Sequence, residues 1–184
     1  MAAVLQNKLE LPKVKASKWS RAEGALDLIV QVEEKSLCNR YMARYFEVSE
    51  IRESPEWIQK VLRDCGMRPI NAVVDIMNYA MLETGEPMHA FDADKLKSIV
   101  VRRARDKEKI ETLDGQNFEL SSEDLVIADD THALAIAGIK GGKRAEVKKE
   151  TKRLIVEAAN FDGVSVYKTS KRLKLSTDAS ARFS

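Results

Sequence analysis

Apolar positions along the chain change their spacing twice. Between residues 25 and 51 they fall at every second position, between 54 and 84 at every third or fourth, and beyond 98 they gather in short continuous runs. Each spacing predicts a different kind of element. "ALDLIVQVEE" sets Leu28, Val30 and Val32 against polar neighbours and predicts a strand; "RYMARYFEVSEI", aromatic and β-prone, predicts a second strand paired with the first. Ser54 ahead of Pro55 is the start signal of a helix, with Trp57, Ile58, Val61 and Leu62 as its apolar stripe and Gly66 as its stop. A second helix is expected over 71–84, with Val73, Val74, Met77, Ala80 and Met81 inward. Gly85 ends it, and Pro87 forbids its continuation.

After Asp92, which reads as the cap of a short turn, the pattern becomes β. "SIVVRRA" predicts a strand and "KIETLDGQNFEL" a hairpin around Asp114-Gly115. "DLVIAD", "ALAIAGI" and "RLIVEAA" are continuous apolar runs, the mark of strands covered on both faces. Asp162 caps a last helix whose apolar side is Val164, Val166, Tyr167 and Leu173. Residues 1–22, with four basic side chains after Pro12, lack a period and read as a linker or N-terminal extension. "TDASARFS" carries no stop signal, as expected of a segment of something longer.

Composition narrows the picture. The chain has 184 residues, 44% apolar and 33% charged, enough for one packed domain over residues 23–184. A net charge of +2, from 31 basic and 29 acidic residues, is too balanced for a protein that grips nucleic acid by charge alone. Cys38 and Cys65 have no CxxC spacing and read as reduced thiols of a cytoplasmic protein. No long apolar run predicts a signal peptide or a membrane span.

Few residues then stand out as chemistry. His89 and His132 lie far apart without metal-binding spacing, so no zinc site is expected. "GIKGGK" lacks the phosphate-loop pattern and reads as a tight turn or a close backbone approach. Glu157 is the anomaly. In "LIVEAANF" it interrupts a run built for burial, sharing a face with Ile155 and Ala159, and a buried carboxylate needs a donor. That donor is either a structural Arg or Lys or a ligand hydroxyl. His89 reads either as a hydrogen-bonded packing residue or as a working one.

The stretches "RPINAVVDIMNYAMLETGEPMHAFDADKL", "TLDG", "DLVIAD", "AIAGIKGG", "IVEAANFD" and "STDASARF" together closely resemble the B3/B4 region of the bacterial phenylalanyl-tRNA synthetase β subunit, in the same order from about residue 38 onward. The resemblance implies a mixed α/β (α+β) fold, a layered sheet sandwich with flanking helices, and an editing domain over 23–184. Its implied work is to hydrolyse the ester of tyrosine misattached to phenylalanine tRNA. A pocket built for phenylalanine rejects an added hydroxyl by only about 10²-fold, whereas a site that hydrogen-bonds the hydroxyl rejects its absence by about 10⁴–10⁵.

Carried over residue by residue, Glu157 matches the carboxylate that reads the tyrosine hydroxyl. Ala137, Gly138, Thr177 and Ala179 match pocket walls. His89 and Asn78 match the polar groups near the ester and terminal adenosine, with Pro87 shaping that rim. The family commonly has Thr where Met77 stands, which leaves a degenerate structural or RNA-binding module as the alternative. The implied partners are the 3′ end of tRNA, tyrosine as the misacylated amino acid, and the α subunit of the synthetase. No cofactor is implied for the region itself; ATP and Mg²⁺ belong to the parent synthetase.

Overall fold

The computed structural model describes residues 28–184, so the predicted linker over 1–22 lies outside the described residues. In chain order the elements are β1 (Ile29–Val32), β2 (Cys38–Glu47), α1 (Glu56–Asp64), α2 (Ala72–Thr84), β3 (Met88–Asp92), β4 (Ser98–Arg103), β5 (Lys109–Glu111), β6 (Asn117–Glu119), β7 (Leu125–Ala128), β8 (Ala133–Ile136), β9 (Lys140–Gly141), β10 (Arg153–Phe161), α3 (Gly163–Leu173) and α4 (Asp178–Phe183). They form a mixed α+β architecture. A five-stranded sheet runs β1-β4-β7-β8-β9, a three-stranded sheet β2-β10-β3, and β5-β6 make a small hairpin.

One hydrophobic cluster joins the two larger sheets. Ile99, Val101, Val126, Leu134 and Ile136 come from the first, Cys38, Phe91, Ile155 and Ala159 from the second. β7 and β8 are buried along their whole length, as their uninterrupted apolar runs require.

The predicted partner of β1 is corrected. β1 pairs in parallel with β4, Val30 opposite Ile99, while β2 joins the other sheet and runs antiparallel to β10. Alternation along a strand reports which residues share a face but not which strand lies beside it. The alternation of β1 is itself partial: Leu28 and Val32 pack on the core, but Val30 is exposed.

Both central helices start where a side chain or a proline dictates. α2 is capped by Asn71, whose Oδ1 accepts from the backbone N–H of Val73 and Val74. It ends at Gly85, two residues before Pro87. Pro55, not Ser54, occupies the cap of α1, and the Ser54 hydroxyl instead donates to Asp75 at 2.5 Å. Asp75 also accepts from the Ile70 N–H at 2.8 Å and is 1% exposed, so one α2 carboxyl group ties together the lead-in to α1, the α1–α2 loop and α2.

Two predicted apolar stripes point partly outward. Trp57 is exposed and touches Tyr79 edge-on, leaving Ile58 and Leu62 as the buried face of α1. Val164 and Tyr167 are exposed on α3, whose buried face is Val166 and Thr169. Asp162 caps α3 as predicted, accepting from Ser165 N–H. α4 is an element the apolar pattern did not reveal. It is held by a reciprocal cap in which Thr177 and Ser180 each bond the other's backbone.

Candidate functional site: a carboxylate floor beside a histidine

Glu157 sits on the central strand of the three-stranded sheet. Its register partners are Ala43 of β2 on one side and His89 of β3 on the other. Directly opposed residues of an antiparallel pair project to one face. That face turns toward the five-stranded sheet, which carries the carboxylate into the interior, 5% exposed.

Its donor is neither an arginine nor a lysine. The Tyr41 hydroxyl donates to Glu157 Oε2 at 2.7 Å. Burial pushes the Glu157 carboxyl up to about 7, with the Tyr41 hydrogen bond acting the other way. Burial, then the Glu157 charge, holds the Tyr41 phenol well above its ordinary value. The buried Cys38 thiol is pushed up to about 11, first by burial and then by Glu157.

His89 packs its ring edge-on against Phe91, centroids 4.7 Å apart. Loss of hydration lowers it to about 4, so at neutral pH it is an uncharged imidazole. Among the described residues no group hydrogen-bonds to the ring. The packing expected of it is therefore present and the hydrogen bond is not.

A cavity of about 70 Å³ lies over these side chains. Pro87, His89, Gly138, Gly141, Glu157, Ala179 and Phe183 line it. Five residues singled out from the sequence thus meet in one place: Pro87, His89, Gly138, Glu157 and Ala179.

The others stand around it. Ala137 is buried behind Gly138. Thr177 donates to the Ile139 carbonyl at 2.9 Å, fastening α4, and Ala179 with it, to the glycine segment. Met77 and Asn78 line a neighbouring groove with Asn71 and Leu113, which meets the cavity at Met88 and His89. Met77 is also buried, 7% exposed.

Sequence reasoning missed Tyr41, Gly141 and Phe183. The signal for Gly141 was present in "GIKGG", whose close backbone approach is real: a Cβ there would lie 2.5 Å from His89 Cε1. At Gly138, φ is +69° and a Cβ would meet Val166 Cγ2 at 2.8 Å. The two glycines form the wall because side chains would fill it.

Gly141→Ala is therefore expected to evict the His89 ring, at a cost of about 1–3 kcal/mol in overpacking. The ring's NMR titration midpoint should rise from about 4 toward 6.5 as it gains water. An unmoved midpoint would show that the backbone yields instead.

Opposed titrations give a second expectation. Folding raises Glu157 from 4.5 to about 7, so from pH 4.5 to 7 the folded chain holds a proton that the unfolded chain has released. That contribution to stability falls as pH rises. Folding lowers His89 from 6.5 to about 4, so from pH 4 to 6.5 the unfolded chain holds the extra proton and this contribution rises with pH. The two oppose each other between about pH 4.5 and 6.5. Glu157→Gln is expected to make the urea midpoint climb more steeply with pH across that window, and His89→Gln to tilt it downward. Identical slopes in all three proteins would refute both burial assignments.

The fold and cavity define a two-sheet α+β domain with a carboxylate-floored pocket closed by glycines. The chain belongs to the B3/4 domain family, whose profile matches residues 37–184. It is similar to the phenylalanine–tRNA ligase beta subunit of Carboxydothermus hydrogenoformans, 49% identical over 162 residues, 87% of this chain and 20% of that one. The corresponding subunit of Moorella thermoacetica is 51% identical over 156 residues, covering 84% and 19%. The chain thus spans about a fifth of the length of these relatives.

Among solved structures it resembles an N-terminal fragment of the phenylalanyl-tRNA synthetase beta-subunit from Pyrococcus horikoshii. The TM-score is 0.54 at 16% identity, over 88% of this chain and 52% of that fragment, a likeness of fold. Among the described residues no helix is long and apolar enough to cross a membrane.

Proposed function

We propose that this domain is the editing site of a phenylalanine–tRNA ligase, hydrolysing the ester that joins misattached tyrosine to the 3′ end of phenylalanine tRNA. The observation that carries the reading is Glu157: a buried carboxyl group lining the cavity whose hydrogen-bond donor is a phenol at Oε2. A group so placed accepts a hydrogen bond from a second phenolic hydroxyl. An unsubstituted phenyl ring would strand it without that bond, which is the physical basis of a sieve that retains tyrosine and releases phenylalanine.

Gly138, Gly141, Ala179, Phe183, Pro87 and the His89 ring line the cavity around Glu157, and His89 is its direct cross-strand neighbour. Lowered to about 4, the neutral imidazole is a weak base, but its ring nitrogen can accept a hydrogen bond from an attacking water and hold it at the carbonyl carbon. Asn78, in the adjoining groove, is suited to the terminal ribose. At about 70 Å³ the cavity is small for a tyrosyl ring; half-buried Phe183 on the six-residue α4 lines it, packed edge-on against Phe161.

In the full ligase the rest of the protein holds tRNA, the α subunit contributes to assembly, and ATP with Mg²⁺ serves the ligation step. No cofactor enters the hydrolysis itself. Met77 lines the adjoining groove and, together with Glu157, a second groove between α2 and the three-stranded sheet, but not the cavity itself.

The test presents phenylalanine tRNA, charged with tyrosine or with phenylalanine, to the intact ligase containing this domain. Faster loss of tyrosine is expected; equal, uncatalysed loss of both would leave a structural module.

A further inference from the structure

We propose that Tyr41 is a positioning residue of this pocket: its hydroxyl holds one oxygen of Glu157 and so presents the other to the hydroxyl of the bound amino acid. The proposal rests on the editing reading for the identity of that ligand, and on geometry for the rest.

Strand register makes the contact. Tyr41 is opposite Ala159 on β10 and Ala43 is opposite Glu157, so Tyr41 is the diagonal neighbour of Glu157 on the same face. Diagonal neighbours are about 7–8 Å apart, a span that an aromatic side chain covers and a serine or threonine does not. The phenol arrives at Oε2 at 2.7 Å. Its ring packs against the core, which limits where the hydroxyl can go.

A carboxylate bonded at neither oxygen could swing about its last torsion, since terminal sp³–sp² torsions are broad. Bonded at Oε2, it has a fixed plane, and Oε1 remains with its lone pairs available. A phenol suits this task better than a cation. An arginine would occupy both oxygens in a fork, whereas Tyr41 bonds one oxygen and leaves the other available.

Three other ionisable groups near the carboxylate do not supply this hold. Cys38 on β2 directs its thiol to the Arg40 carbonyl at 3.5 Å. His89 on β3 makes no hydrogen bond to it. Lys140 on β9 lines the cavity, but its ammonium is paired with Asp114 at 2.6 Å. α4 brings only Ala179 and Phe183.

Two measurements test the assignment. In the chain itself, the Glu157 carboxyl is followed by ¹³C NMR against pH, in wild type and Tyr41→Phe. Removing a donor that favours the charged form is expected to move the midpoint above its value of about 7. An unmoved midpoint overturns the proposal.

In the intact ligase, tyrosyl and phenylalanyl esters of phenylalanine tRNA are followed at pH 7 and 8.5. Tyr41→Phe is expected to slow the tyrosyl ester about 10-fold at pH 7, the worth of one hydrogen bond to a charged group. Part of the rate should return at pH 8.5, and the phenylalanyl ester should be unaffected. Equal loss on both esters at both pH values would mark Tyr41 as a packing residue and overturn the proposal. If the wild type shows no preference for tyrosine while the midpoint still moves in Tyr41→Phe, the reading of the substrate fails and the hold of Tyr41 on Glu157 stands.

Discussion

Replacing Glu157 by alanine is expected to slow hydrolysis of the tyrosyl ester by the intact ligase about 10²-fold, with the phenylalanyl ester unchanged at its own slow rate. The size follows from a hydrogen bond to a charged group, about 1.5–3 kcal/mol, at about 1.4 kcal/mol for each factor of ten in rate. The selectivity follows from chemistry, since phenylalanine has no hydroxyl to lose. Alanine also strips Tyr41 of its acceptor, so the variant unfolds more easily. Glu157→Gln separates the two effects. It preserves volume and an acceptor oxygen but not the charge, and should retain stability while losing about 10-fold in rate. Measured tyrosine-to-phenylalanine ratios equal to wild type in both variants would exclude Glu157 as the reader of the hydroxyl.

The largest stability effect is expected far from the pocket, at Asp75. Asp75→Ala should cost about 3 kcal/mol, because it leaves two donors, the Ser54 hydroxyl and the Ile70 N–H, without their acceptor where water does not easily replace it. Asp75→Asn retains an oxygen for Ile70, and Ser54 can rotate to accept from the new amide, so about 1 kcal/mol is expected. Urea unfolding of the three chains measures both. The order matters more than the values: if Asn costs as much as Ala, the carboxyl group contributes through something other than these two bonds. Because Asp75 sits about one turn ahead of Asn78 on α2, its loss should also loosen the groove beside His89.

Several elements were legible because a single residue type announces them. Gly85 with Pro87 fixes the end of α2, Asp114-Gly115 turns the hairpin, and Asp162 caps α3. Pairing was legible only where a tight turn enforces it. β1 finds β4, some seventy residues on, through no local signal, so expecting β2 beside it was natural and wrong. α4 is too short for a period to show, and its cap uses Ser180 where the recognisable pattern has Glu or Gln.

At the site the same division holds. Glu157 declared itself by interrupting an apolar run. Its donor could not be read, since Tyr41 lies 116 residues earlier and nothing in "RYMARY" distinguishes a hydroxyl at work from a strand aromatic. Trp57, Val164 and Tyr167 show the converse limit: helical spacing marks a face as apolar without saying whether anything covers it.

The order of strands in the smaller sheet bears on how the chain comes into being. β10 is its centre, and both β2 and β3 hydrogen-bond to β10 and not to each other. Yet β10 is the last of these three strands to be synthesised. At about 5–20 residues per second, the 116-residue gap between Tyr41 and Glu157 corresponds to roughly 6–23 s of translation. Through that interval an aromatic ten-residue strand waits with both backbone edges unpaired, a condition that invites association with other nascent chains. Refolding should show the same delay as a slow phase set by long-range closure, and Tyr41, Glu157 and His89 should acquire their shared environment together, in its final step.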